Sequence, residues 1–421
     1  MSGPADVGGV VESSTSTGSA PSATSRPPHP GRPRPRRWRR TGRWLARSWL
    51  GRVLSTALIV LVVSTGWSLG TALTAPGSST VVARVAEWAR GHGFSTVVSM
   101  LEQAQYRLAP PKVGGAPNTA ILAGDLTGST THVLHPQQRA STVATVALHA
   151  PLAPLVTPGL PGEGVFKPVE TVHGQPAIQV TYLRPDSQHT SYLTGVAWMD
   201  QKLIRFVQHP GWSQPGNLSW WNQPDTVPPT ARVGLLATFN NGFKLPDAHG
   251  GYYQNGRYAA PLVAGAASMV FNANGTINIG SWGSEVTMTP QVTGVRQNLT
   301  LLVDHGHVLP SVYHNIELGW GLTIKGAYYV WRSGIGITKN GNLVYATGPA
   351  LSVADLAMIL QRAGAVRAMQ LDINPAWVSY MWYQQTSNVA APIPHKLVNF
   401  WEPADRYFHH ASRDFVAAYA R

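Results

Sequence analysis

Apolar and polar positions change rhythm several times along this chain, and each change marks a different kind of element. From Val53 to Ala83 no residue is charged, and the stretch VLSTALIVLVVSTGWSLGTAL, Val53 to Leu73, exceeds the about 20 residues with which a helix crosses a bilayer. From Val81 to Leu108 apolar residues fall at helical spacing, with Gly91 and Gly93 dividing the run and Ala109-Pro110-Pro111 ending it, which predicts a helical stalk over 78–108. Residues 109–160 mix Gly, Pro and Ala with β-prone runs such as STVATVALHA, the composition of a linker with accessory strands.

From Val165 the period drops to two, and the turn signals of hairpins recur. Asn255-Gly256, Asn274-Gly275, His305-Gly306 and Asn340-Gly341 each sit between β-prone runs, and Asp200-Gln201 divides GVAWM from KLIRFVQ in the same manner. Asn-Gly between such runs is the strongest short-range hairpin signal. One helix interrupts the strands: Ser352 with Asp355 three residues on forms an N-terminal cap, Val353, Leu356, Ile359 and Leu360 make an apolar stripe, and Gly364 stands at the C-terminal cap. Strand, helix and strand in succession imply a crossover. The expected fold class over 161–421 is therefore α+β, mainly antiparallel sheets with one or two packed helices, preceded by a single N-terminal transmembrane helix.

Charge sharpens this picture. The chain has 421 residues and a formal charge of +13, but residues 1–52 hold ten arginines against two acids, net +8, leaving net +5 for the remainder. Residues 1–47 are rich in Ser, Thr, Pro and Gly and poor in large apolar side chains, so they cannot repay the entropy of folding and read as a disordered basic tail. Nine arginines between Arg32 and Arg52 directly precede the apolar run. The positive-inside rule then places the tail in the cytoplasm, residues 48–75 in the plasma membrane as an uncleaved single-pass signal anchor, and the bulk of the chain outside. The rival readings are a cleaved signal peptide, for which TALTAPG offers a weak cleavage site, and a buried core helix. Anionic lipid headgroups are a sufficient partner for the arginine run, so no nucleic-acid partner is expected. The chain contains no cysteine, which excludes disulfide staples, thiol catalysis and thiolate metal sites.

Three β-prone runs end in polar residues beside glycine or proline: LLATFNNGFK, YYVWRSGIG and AMQLDINPAW. Groups at strand ends are held by a rigid sheet, which is where sites are commonly built. With the hairpin KNGNLVYATG and the helix LSVADLAMILQRAGA between them, these segments in this order resemble the phosphodiester glycosidases, over roughly Gly162 to Tyr383. Members of that family carry an Asn-Gly-Gly-Phe-like segment, an Arg-x-x-x-Gly strand with its hairpin, a helix opening with Ser or Thr, and a late Asn-Leu-Asp-Gly-Gly-Gly-Ser segment. The present chain departs from them at Asn241, where the family has glycine, at Lys244, where a phenylalanine is frequent, and at Ile373-Asn374-Pro375-Ala376, which replaces the glycine run.

The resemblance implies hydrolysis of sugar 1-phosphodiester linkages, with a cell-envelope glycan or sugar phosphate as substrate and with no cofactor or metal. That reaction needs stabilisation of phosphate charge and a carboxyl group at the anomeric centre. Arg332 is the expected phosphate clamp, because a guanidinium binds phosphate oxygens in pairs, and Asp372 the expected catalytic carboxyl. Asn240, Asn241, Gly242, Lys244 and Asn374 are the expected substrate contacts, and Asp247 or Glu285 would supply a second carboxylate. The same residues admit quieter roles. Asp372 could close an Asx-turn, Arg332 could pair structurally with Asp372, and Asn240 and Asn241 could satisfy loop backbone. A non-catalytic glycan-binding or envelope-organising protein is the corresponding alternative function. Of seven tryptophans considered as sugar platforms, at 220, 221, 282, 320, 331, 377 and 382, several must belong to the core. The histidines at 249, 305, 307 and 314 lack a metal-binding spacing.

Overall fold

Turn chemistry explains part of the strand pairing. The computed structural model describes residues 49–75, 77, 80–94, 96–98, 100–101, 109–123, 148–314, 320 and 329–421. The basic tail over 1–47, the end of the stalk at 102–108 and the β-prone run at 141–147 lie outside the described residues. The chain divides into two compact units, Met1–Gly66 and Trp67–Arg421.

Helix α1, Trp49–Thr74, has 26 residues and is long and apolar enough to cross a membrane. Helix α2, Val81–Ala89, starts where Thr80 Oγ1 accepts from Ala83 N at 3.2 Å. The helical path is broken at His92 and at Gly93, whose φ of 85° is one that glycine adopts freely.

The strands run β1 Lys167–Val172, β2 Gln175–Leu183, β3 Thr194–Met199, β4 Ile204–His209, β5 Leu235–Asn240, β6 Tyr252–Gln254, β7 Arg257–Ala260, β8 Ala267–Asn272 and β9 Ile277–Ser281. They continue with β10 Val292–Gln297, β11 Leu301–Asp304, β12 His307–Val308, β13 Val330–Thr338, β14 Leu343–Leu351, β15 Ala365–Gln370, β16 Tyr380–Gln384, β17 Ile393–Lys396 and β18 Phe415–Ala420. They form an eight-stranded sheet, β1-β2-β3-β14-β13-β15-β11-β12, and two five-stranded sheets, β7-β6-β10-β8-β9 and β17-β16-β5-β18-β4. The expected hairpins form at Asn255-Gly256, Asn274-Gly275, His305-Gly306 and Asn340-Gly341.

Asp200-Gln201 is different. Strand β3 pairs with β2 and β14, whereas β4 pairs with β18, so this turn passes the chain between sheets and does not close a hairpin. Gln201 explains the divergence: its buried carboxamide accepts from Ile277 N at 2.7 Å and donates to Ile277 O and Gly341 O, pinning the turn to the start of β9 and to the β13–β14 turn.

Strands β14 and β15 flank β13, each antiparallel to it, so they are parallel to one another and the helix between them is a crossover. That helix, α3, spans Val353–Arg362 and opens with a complete capping box between Ser352 and Asp355. Leu356, Ile359 and Leu360 are fully buried. A Cβ at Gly334 of β13 would stand 2.9 Å from Leu360 Cδ1, so glycine there lets the helix lie close on the sheet.

The main core contains residues of β2, β3, β13 and β14 from the large sheet together with residues of β5, β16 and β18. Phe239 stands at its centre, with ring centroids 5.5 Å from Tyr345 and 6.0 Å from Tyr380. Strand β5 is buried at every position, so its polar end reaches into the protein and stays away from solvent.

Candidate functional site

Asn240 closes β5, and its carboxamide is fully employed. Nδ2 donates to Ser333 Oγ at 3.0 Å and to Asn241 O at 2.8 Å, while Oδ1 accepts from the Tyr345 hydroxyl at 2.8 Å and from Ser379 N at 3.0 Å. One amide thereby ties β5 to β13, to β14 and to the segment before β16. Ser333 continues the chain of contacts, donating from Oγ to Asp372 O at 2.9 Å and from its backbone N–H to the same carbonyl at 3.0 Å. Asn240 and the Asp372 backbone are thus brought together through Ser333.

Asp372 follows β15 and is 3% exposed. Its Oδ1 accepts from Ile373 N at 2.8 Å and from Asn374 N at 2.9 Å, the Asx-turn that its setting before Ile-Asn-Pro allowed. Its Oδ2 accepts from Arg413 Nη2 at 3.2 Å. Burial pushes the carboxyl above the ordinary aspartate value, against the opposing pull of Arg413 and of the two backbone N–H groups. Asn374 shapes the same turn, its Oδ1 accepting from Ala376 N at 2.9 Å and its carbonyl from Trp377 N and Val378 N.

Arg332 is buried on β13 and does not supply the ion pair to Asp372, which comes from Arg413. Its Nε donates to Leu351 O at 2.9 Å, and its Nη1 to Gln370 Oε1 at 2.8 Å and to Trp320 O at 3.4 Å. Successive residues of a strand face opposite ways, so Ser333 on the Asp372 side puts Arg332 on the other.

Lys244, one of the expected substrate contacts, is paired with a carboxylate from α2. Its Nζ is 3.0 Å from Glu87 Oε1, and Arg413 Nη1 is 3.8 Å from that same oxygen. Charges therefore alternate along a connected line: Asp372, Arg413, Glu87, Lys244. Burial lowers the Lys244 ammonium below the ordinary lysine value, with Glu87 opposing the shift. Arg413 also lies over the Trp377 ring, 5.2 Å from its centroid, and its Nε is buried with no hydrogen-bond partner.

Asn241 is 2% exposed, and both polar atoms of its side chain are buried without a partner. Its backbone N–H donates to Asp414 O at 3.3 Å, which sets it beside the Arg413-Asp414 pair. Gly242 is required for space, because a Cβ there would fall 2.7 Å from Asn298 Oδ1. Asn298 accepts from Phe243 N at 3.0 Å and donates to Gln370 O and Leu371 O, holding the Asn241–Phe243 loop against the end of β15. Beneath it, Arg296 pairs with Asp414, Nε to Oδ2 at 2.8 Å, and donates from Nη2 to Phe243 O.

Asp247 and Glu285 do not join this group. Asp247 is exposed in the single turn Leu245–Ala248. Glu285 accepts from Ser281 N and lies with Asp304 and His305, a set whose ligand atoms are within 4.8 Å of one another. Asp355 is occupied in its capping box, as its position in the first turn of the helix required. Trp221, Trp320, Trp377 and Trp382 are core residues, whereas Trp220 is exposed.

The sequence reading did not include Arg413, Asp414, Arg296, Asn298 or Glu87. A signal existed for two of them: GVRQN is a further β-run ending in polar residues, the same feature that singled out Asn240 and Asp372. Arg413 and Asp414 lie beyond the segments that carry the resemblance, and Glu87 is one charge on a helix whose spacing points only to a stalk.

No family model matches the chain, and no curated protein matches it in sequence. Among solved structures, the chain is similar to the catalytic domain of zebrafish N-acetylglucosamine-1-phosphodiester alpha-N-acetylglucosaminidase, auto-inhibited by its pro-peptide, at 13% identity and a TM-score of 0.39 over 61% of this chain and 88% of that one. A hypothetical protein from Synechocystis is similar at 12% identity and a TM-score of 0.37, over 61% of this chain and 65% of that one. These are distant likenesses of fold.

Proposed function

We propose that this chain is a single-pass plasma-membrane protein, its basic tail cytoplasmic and its folded domain outside, that hydrolyses sugar 1-phosphodiester linkages in cell-envelope glycans. The observation that carries this reading is the approach of Lys244 and Arg413 to one carboxylate oxygen, at 3.0 and 3.8 Å, directly beside Asp372. Two cations converging on an oxygen anion make a position that a phosphodiester oxygen can take, Glu87 being the group it displaces.

The remaining parts fit the chemistry. A carboxyl whose proton affinity is raised by burial is suited to take up a proton and pass it to the leaving oxygen as the anomeric C–O bond breaks, with water supplying the hydroxyl to the sugar carbon and releasing its other proton to solvent. Arg413 then stabilises the carboxylate left behind. The unpartnered Asn241 carboxamide offers donors and an acceptor to sugar hydroxyls. Arg332 is a positioning residue in this scheme: through Gln370 it steadies the strand that delivers Asp372.

A second reading is favoured by a specific observation. Asp372 Oδ1 already accepts two backbone N–H groups, as in a structural turn, which suits a glycan-binding protein without turnover. The deciding experiment uses the full-length chain in detergent with synthetic sugar 1-phosphodiesters of both anomeric configurations. Release of free sugar is expected, with Asp372→Asn lowering kcat by about 10²–10⁴-fold, the usual contribution of a general acid. Saturable binding with no product identifies the binding protein, and neither binding nor product overturns both readings.

A further inference from the structure

A second site lies away from these residues, in the hollow between β4 and the sheet that contains β6, β8 and β10. It has a volume of about 270 Å³ and shares no lining residue with the Asp372 group. We propose that it binds one neutral sugar ring.

The floor is built from buried carboxamides and aromatic rings. Gln208 and Gln254 are each 4% exposed, and Phe206 and Phe271 are buried beside them. Phe206 and Gln208 are two apart on β4 and so share a face. Gln254 is anchored, donating from Nε2 to Gln208 O at 2.8 Å and accepting from the Tyr252 hydroxyl at 2.9 Å. Gln208 is held less firmly: its Oε1 and Nε2 are buried and make no well-formed hydrogen bond, with the Tyr252 hydroxyl standing beside the amide. An amide buried in that state forgoes hydrogen bonds that a ligand supplying both a donor and an acceptor restores.

The strand opposite has made room for this amide. A Cβ at Gly294 of β10 would stand 2.1 Å from Gln208 Oε1, so only glycine leaves the carboxamide its berth. The rim is exposed and carries Arg205, Asn255 and Asn274.

The lining selects the chemistry of the ligand. A carboxamide both donates and accepts, as each sugar hydroxyl does, and an aromatic floor suits the C–H face of a pyranose. Among the described lining residues Arg205 is the one charged group, and its guanidinium lies over the Tyr419 ring, 4.6 Å from the centroid. No carboxylate is present on that lining to bind a cation. The volume is just under the roughly 300–1,000 Å³ of sites for drug-sized ligands, which limits the occupant to a single ring.

The test titrates the full-length chain in detergent with methyl α-D-glucopyranoside and N-acetylglucosamine, with glucose 1-phosphate as the charged control, read by calorimetry and by saturation-transfer NMR. At least one neutral sugar is expected to saturate the protein at millimolar concentration. Gln208→Leu and Gly294→Ala are each expected to weaken it at least tenfold, about 1.4 kcal/mol, while Asp372→Asn leaves it unaltered. Gln208→Leu removes a buried amide that makes no well-formed hydrogen bond and is expected to fold with an unchanged or higher Tm. Should it fail to fold, Gly294→Ala decides, since the atoms nearest its methyl group are the far end of the Gln208 side chain and the edge of Phe271. Failure of every neutral sugar to bind, preference for the phosphate, or binding undiminished in the folded variants overturns the proposal.

Discussion

Asp372 Oδ2 and Arg413 Nη2 meet at 3.2 Å, with side chains 5% and 8% exposed. A pair so enclosed is sensitive to losing one member, because the other is left as an uncompensated charge. Arg413→Met is expected to destabilise the fold by about 3–5 kcal/mol. Asp372→Asn keeps the shape and the turn acceptor and is expected to be milder, and the double variant recovers much of the loss. Denaturant unfolding of the four proteins measures this, and strictly additive effects would exclude the coupling.

Glu87 is the negative charge between Lys244 and Arg413. Glu87→Gln vacates their shared anion position and is expected to tighten inorganic phosphate binding about tenfold, about 1.4 kcal/mol. Lys244→Gln is expected to act in the opposite sense. Calorimetric titration with phosphate reads both, and an affinity indifferent to residue 87 would remove the anion site.

Glu170 on β1 gives a pH signature. Burial pushes its carboxyl up from 4.5 to about 8, so between those values the folded chain holds a proton that the unfolded chain has released. Stability therefore falls as pH rises through that window and levels off above it. His209, buried against Phe415 and pushed down from 6.5 to about 4, works the other way, its contribution being lost as pH falls through that range. Between about 6.5 and 8, above the range in which His209 acts, Glu170→Gln is expected to flatten the decline and raise stability at the alkaline end. Unfolding midpoints across that interval provide the check.

Several features were legible because they depend on neighbours in the chain. The four Gly-containing turns that became hairpins, the capping box at Ser352 and Asp355, and the span of α1 each follow from residues a few positions apart. Asp200-Gln201 looked the same locally, yet the Gln201 carboxamide found partners at Ile277 and Gly341 and sent β3 and β4 into different sheets.

The site divides along the same line. Asn240, Asn241, Gly242, Lys244 and Asp372 could be singled out because polar residues at the end of a buried strand violate the local apolar pattern, and that violation is visible in one dimension. Which guanidinium faces Asp372 could not be read in that way. Arg332 is 40 residues from Asp372 and Arg413 is 41, and sequence distance offers no choice between them; strand alternation turned the first toward backbone carbonyls, while the β5–β18 pairing carried the second to the carboxylate. The helix long and apolar enough to cross a membrane, the antiparallel framework and the candidate acid belong to the sequence by itself. The pairing of charges, including the reach of Glu87 from α2, was decided by tertiary structure, because an ion pair is a contact in space and long-range contacts exist only once the sheets have assembled.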